Sequence, residues 1–223
     1  MQPASESAIE NLNTPHKTNI QSEGKKVNPN IEYEVPTWNQ TYDMLLSLAQ
    51  KIHASNYKPD LIVAIARGGL VPARILSDLL ETPELAVIQI EFYVDIAKTS
   101  QQPILRQGLT IALNGKKTLL VDDISDTGKT LQLAKTHLTQ HGAAEIKTAT
   151  LYTKPQSTAT PDYFEKETSR WVVFPWDAKE TVRKIAQSAQ GKRAVNREVG
   201  QLVKAGLPVQ LAERFLSEVA GDR

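Results

Sequence analysis

Two stretches of this chain share a pattern that restricts its fold more than any other: a short, unbroken apolar run, a turn, then an amphipathic helix. In "YKPDLIVAIARGGLVPARILSDLL" the run is Leu61–Ala66, the turn is glycine-rich, and Pro72 falls in the first helical turn, where its missing N–H costs no hydrogen bond. In "TLLVDDISDTGKTL" (118–131) the run stops at two adjacent carboxylates and a helix follows Gly128. A strand apolar at every position must be buried on both faces, which happens where helices cover both sides of a parallel sheet. "LAVIQIEFY" and "EIKTATLYT" supply two more strands, and Gly142 stops the helix between the acid motif and the second of them. The predicted class is α/β, a mainly parallel twisted sheet flanked by helices. Ligands in such sheets sit at the carboxyl ends of the strands, where "ARGGL" and "DDISDTGKT" both fall.

The remaining chain divides around this unit. Residues 1–30 are polar, rich in Asn, Ser and Lys, and lack an apolar period, as expected of a mobile extension. Thr37 is placed to cap a helix whose apolar face is read as Trp38, Tyr42, Leu45, Leu46, Ala49 and Ile52. "TIALNGKKTLLV" reads as a hairpin turning at Asn114-Gly115, and the polar stretch 94–108 before it as a loop. "PQSTATPDYFEKETSR" reads as irregular, "WVVFPWD" as a last short strand. From 179 to 223 three charged helical segments are separated near Gly191 and at Gly206, so the expected division is 1–30, a domain of 31–178, and a helical extension of 179–223.

Composition excludes several functions. Lys and Arg number 26 against 25 Asp and Glu, a net charge of +1, so the chain lacks the basic excess of a protein that binds by neutralising a nucleic-acid backbone. With no cysteine, disulfides, thiolate zinc sites and cysteine nucleophiles are ruled out. The longest apolar run, Leu61–Ala66, is far short of the roughly 20 residues that span a bilayer, and the expected setting is the cytoplasm, away from membranes. His137 and His141 are four apart on a helix, but Leu138 stands where a zinc protease carries its glutamate, and they are read as surface residues.

The "GKT" of Gly128, Lys129 and Thr130 invites a nucleotide-binding P-loop reading, which needs a glycine five positions before Gly128; that position is Asp123. What remains is an acid pair at a strand end, small hydroxyl residues, a glycine, and a helix N-terminus whose free N–H groups attract phosphate. Carboxylates for vicinal hydroxyls or Mg2+, beside a phosphate cradle, suit a sugar phosphate.

"LLVDDISDTGKTL" resembles the phosphoribosyl-pyrophosphate signature of the type I phosphoribosyltransferases, and "IARGGLVPARILSD" is similar to the pyrophosphate loop of that family. The resemblance covers about residues 35–178 and implies that family's sheet with a small hood. It assigns the ribose hydroxyls and Mg2+ to Asp122 and Asp123, with Asp177 as a further metal contact. The 5′-phosphate falls to Ser125, Asp126, Thr127, Gly128, Lys129 and Thr130, and pyrophosphate to Arg67, Gly68 and Gly69. A cis peptide typical of that turn is expected at Arg67-Gly68. The stretch from Val94 to Gly108 lies where the family has a closing loop, without the Ser-Tyr pair of the human-type enzymes.

Lys154 in "ATLYTKP" and "RWVVFPWD" match the purine-recognising region of the 6-oxopurine members, the hypoxanthine, guanine and xanthine transferases. Lys154 then meets O6, Trp171 stacks on the base, and Val172 lies beside it. An ammonium donates to a carbonyl-like oxygen but accepts nothing from an amino group, so adenine is disfavoured. The implied reaction moves ribosyl 5-phosphate from phosphoribosyl pyrophosphate to a purine nitrogen, with Mg2+ as cofactor, Asp126 as general acid/base and a homodimer as the assembly. The competing reading is a regulator that keeps the fold to sense phosphoribosyl pyrophosphate or a purine; retention of Asp126 and Lys154 favours catalysis.

Overall fold

The computed structural model describes residues 31–93 and 102–221; the N-terminal extension and residues 94–101 of the expected closing loop lie outside them. In chain order the elements are β1 (Tyr33–Glu34), α1 (Trp38–Ala54), β2 (Leu61–Ala66), α2 (Leu70–Leu79), β3 (Leu85–Tyr93), β4 (Gln102–Gln107), β5 (Lys117–Val121), β6 (Ile124–Ser125), α3 (Lys129–Gln140), β7 (Glu145–Thr153), β8 (Tyr163–Glu167), β9 (Trp171–Val172), α4 (Ala178–Ser188), α5 (Lys192–Ala205) and α6 (Val209–Gly221). The main sheet runs β4-β3-β2-β5-β7-β6, with β8 also on β7. Among the described residues, β3 and β4 alone pair antiparallel in this sheet.

The two-sided burial read from β2 follows its period of two. Ile62 and Ala64 join Leu45, Leu48, Ile52 and Leu76 beneath α1 and α2. Leu61, Val63 and Ile65 point the other way, to Leu131, Ala134 and Leu138 of α3. The strand ends are thereby fixed between two helical layers. A third apolar cluster joins α4, α5 and α6 to Val173, Tyr33 and Val35, so the C-terminal helices share a core with β1 and the segment after β9. β1 itself lies parallel to β9, with Tyr33 opposite Trp171.

Several local readings change in the folded chain. Thr37 does cap α1, reciprocally with Gln40. The buried face of α1 is Thr41, Leu45, Leu48, Ala49 and Ile52, however, while Trp38, Tyr42 and Leu46 lie exposed along the adjoining line. The Asn114-Gly115 turn exists, both residues having positive φ, but residues 108–113 before it form no strand. The backbone there bonds instead to the end of α3, Leu113 N to His141 O and Gly115 N to Gly142 O, and Leu109 and Leu113 enter the core as loop residues. Residues 102–107 of the stretch read as loop form β4, whose alternating burial matches an edge strand. Residues 163–167, read as irregular, form β8, whose outer residues are polar for the same reason. Among the described residues no helix is long and apolar enough to cross a membrane.

Candidate active site

β5 and β6 run along one edge of β7 in unbroken register, Val121 opposite Ala149 and Ile124 opposite Tyr152, with Asp122 and Asp123 between them. The carbonyl of Asp123 accepts from the amides of Leu151 and Tyr152 at 3.0 and 3.1 Å, so both acids stand on a backbone the sheet holds rigid. Their side chains are buried with few donors: Asp123 N to Asp122 Oδ1 at 3.0 Å, and the indole Nε1 of Trp176 to Asp123 Oδ2 at 3.3 Å. Burial, then the charge of Asp123, pushes the Asp122 carboxyl well above the ordinary aspartate range. Burial, then the charge of Asp177, pushes Asp123 up to about 7. Asp177, at the N-cap of α4, is itself raised to about 6 by burial and by Glu180.

Asp122, Asp123 and Asp177 are hard-oxygen donors of the kind Mg2+ takes, and the charge of Asp177 raises the pKa of both Asp122 and Asp123. Among the described residues no three His, Cys, Asp or Glu side chains are grouped so that they could hold a metal ion on their own.

The turn after β2 lies directly against this pair. A Cβ on Gly68 would meet Asp123 Oδ2 at 2.3 Å, and one on Gly69 would meet Val121 O at 2.3 Å, so the backbone approaches the acids as only glycine allows. The cis peptide falls at Ala66-Arg67, one bond before the expected position. Arg67 pairs with Glu180 of α4, whose other oxygen takes Lys184 at 2.7 Å. Arg67, Gly68, Asp123, Asp177, Glu180 and Lys184 line a cavity of about 400 Å³.

On the far side of the acids, Gly128 precedes α3 at φ 78° and supplies no side-chain cap, while Lys129 N reaches Thr127 Oγ1 at 3.5 Å; helix N-termini of this kind suit an anion. The segment read as irregular clasps this loop. Thr158 N and Oγ1 both donate to Thr127 O, at 3.1 and 2.8 Å. The Ser125 and Ser157 hydroxyls meet at 2.8 Å, and a Cβ on Gly128 would lie 2.4 Å from Ala159 N. The Ser125 hydroxyl is thus committed to the clasp, bonding Ala159 O as well, while Thr127 stands exposed at the loop tip and Lys129 and Thr130 open the helix.

A second cavity, about 530 Å³, opens beyond the loop and is lined by Ile124, Asp126, Lys154, Gln156, Trp171 and Val172 among others. Lys154 is held by its own amide on Ser125 O at 2.9 Å, and its buried ammonium donates to Arg170 O, which leaves two donors. Burial lowers the Lys154 pKa, opposed by Asp126 and then Glu34. Trp171 keeps 54% of its surface exposed, a free aromatic face above the cavity. The two cavities share Ile124, Trp171 and Val172, so they adjoin.

The family model for the phosphoribosyl transferase domain matches residues 34–182, which include every site residue above except Lys184. The chain belongs to that family. Among curated relatives of this phosphoribosyl transferase domain, the xanthine-guanine phosphoribosyltransferase of Nitratidesulfovibrio vulgaris is 34% identical over 145 residues, covering 64% of this chain and 83% of its own. That of Gluconobacter oxydans is 30% identical over 149 residues, covering 66% and 86%. The solved purine phosphoribosyltransferase of Pyrococcus horikoshii superposes with a TM-score of 0.60 at 40% identity, over 66% of this chain and 94% of that one.

Four residues at the site escaped the motif reading. Trp176 lies within the quoted "FPWD", and its stack on Phe174, at 4.8 Å and 5° between ring planes, aims the indole N–H at Asp123. Glu180 and Lys184 show only as an i, i+4 ion pair of an amphipathic helix. Gln156 carries no local signal.

Proposed function

We propose that this phosphoribosyl transferase domain is a purine-salvage enzyme that moves the 5-phosphoribosyl group of phosphoribosyl pyrophosphate onto a 6-oxopurine, giving the nucleoside 5′-monophosphate and pyrophosphate. One observation carries the reading: the cavity holding Lys154, Trp171 and Asp126 adjoins the one holding Arg67 and Asp123, along Ile124, Trp171 and Val172. A base in the first and a pyrophosphoryl group in the second put the anomeric carbon at their junction.

Each residue then has a chemical role. The amides and hydroxyls of residues 127–130 at the start of α3 hold the 5′-phosphate. Asp122 and Asp123 accept from the ribose hydroxyls. The backbone of Arg67, Gly68 and Gly69 lies against the leaving group, and the Arg67 guanidinium balances its charge. Lys154 donates to O6 and Trp171 covers the base. The bond from the anomeric carbon to pyrophosphate oxygen breaks as the bond to the purine nitrogen forms, and Asp126 accepts the proton the purine gives up at N7. The Asp122, Asp123 and Asp177 carboxylates would hold Mg2+, which would supply charge stabilisation for the departing pyrophosphate. A cytoplasmic homodimer is the setting that belongs to this reading.

The test is direct. Purified protein with Mg2+ and phosphoribosyl pyrophosphate is supplied in turn with guanine, hypoxanthine, xanthine and adenine, and nucleotide formation is followed. Turnover with at least one 6-oxopurine and little with adenine is expected. Binding of phosphoribosyl pyrophosphate without turnover of any base would replace the enzyme by a ligand sensor.

A further inference from the structure

We propose that Gln156 is a positioning residue that fixes the Asp126 carboxylate for proton transfer with the purine, an inference that rests on the role just given to Asp126. The side-chain amide of Gln156 donates to Asp126 Oδ1 at 3.0 Å, and both residues line the purine cavity. With Oδ1 occupied, Oδ2 is the oxygen left to face the base. An exposed aspartate on a loop otherwise rotates freely about χ1 and χ2, and proton transfer requires one orientation within hydrogen-bond reach of the purine nitrogen.

Gln156 can hold that orientation because its own backbone is held. The residues after it are pinned to the phosphate loop by the paired Thr158–Thr127 bonds, the Ser157–Ser125 contact and the close approach of Ala159 to Gly128. Just before it, Lys154 N is anchored on Ser125 O at 2.9 Å, and Ser157 N bonds back to Lys154 O at 3.0 Å. Gln156 thus sits on a turn registered at both ends against the loop that carries Asp126. A glutamine suits this role because it is uncharged, and its N–H2 stabilises a carboxylate without neutralising it by proton transfer. Glutamate at the same place would set two carboxylates against each other.

The experiment is a double-mutant cycle on the full chain, with Gln156→Ala and Asp126→Asn alone and combined. It reads the single-turnover rate of nucleotide formation with the best base, and phosphoribosyl pyrophosphate binding by calorimetry. Gln156→Ala is expected to lower the rate roughly tenfold and Gln156→Glu further, with binding changed by less than about twofold. In the Asp126→Asn background Gln156→Ala should have almost no additional effect, because the group it positions is gone.

An equal loss in both backgrounds would overturn the proposal in favour of direct contact with the base or a merely structural role, and so would an unchanged rate for Gln156→Ala. An unchanged rate for Asp126→Asn would remove the base assignment and this inference together, whereas an effect of Asp126→Asn alone removes only Gln156. Gln156 is exposed, so its replacement leaves the core intact. Should Gln156→Ala melt early, Gln156→Met keeps the length of the side chain without the donor and is read by the same criteria.

Discussion

Glu34 and Asp123 are both carboxylates drawn out of water in the same domain, and the chain treats them in opposite ways. Glu34 sits beside β9 and receives three donors: Lys166 Nζ at 2.6 Å, Tyr152 Oη at 2.9 Å and Thr168 Oγ1 at 3.0 Å. Burial pushes its pKa up, but those bonds outweigh it and the net direction is down. Among the described residues Asp123 receives one side-chain donor, the Trp176 indole, and it lies near Asp122 and Asp177, so its pKa goes up. A buried charge met by the chain's own donors ties elements together. On the function proposed above, one left short of donors keeps its lone pairs for substrate, at a cost to the stability of the fold.

The sharpest way to break this comparison is Asp123→Asn, which removes the charge and keeps the shape. Turnover should fall by at least about a hundredfold, while the melting temperature in metal-free buffer should rise by a few degrees as a burden on the fold is lifted. A lower melting temperature in calorimetry would show that Asp123 is a structural carboxylate after all. Glu34→Gln is the converse. Losing a charge met by three donors should cost about 1–3 kcal/mol of stability, seen as an earlier urea midpoint, with turnover per folded molecule within about twofold of the parent.

The smallest effect is in the pH dependence of the metal-free protein. Asp123 is raised in the fold to about 7, against about 4 unfolded, so its penalty is full above about pH 7 and lifts as pH falls toward 4. Glu34 is lowered in the fold, so its contribution is full above the unfolded value of about 4.3 and is lost as pH falls below that. Stability should therefore rise on going from pH 8 to 5 and drop at lower pH. Asp123→Asn should flatten the first limb and Glu34→Gln the second, both read from unfolding midpoints against pH.

Much of the frame was legible because it repeats a local rule. β2 announced itself as buried on both sides, Thr37 marked the start of α1, and the acid motif sat at a strand end as its apolar run required. The misreadings share one cause. Asn114-Gly115 carries a hairpin signal, but its neighbours found the end of α3 instead of a partner strand. The polar residues of β4 and β8 gave no signal because an edge strand pairs on one side only and tolerates water on the other.

Residues a few positions apart were enough to set the alternation of strands and helices, the order of glycine turn, acid pair and phosphate loop, and the chemistry each brings. Which of these parts meet was settled in three dimensions. Gln156 reaches Asp126 across 30 positions, Trp176 reaches Asp123 across 53, and Tyr152 reaches Glu34 across 118. Such pairs depend on which strand edges lie side by side, and that is set by how the sheet buries both faces, a choice made by the whole chain at once.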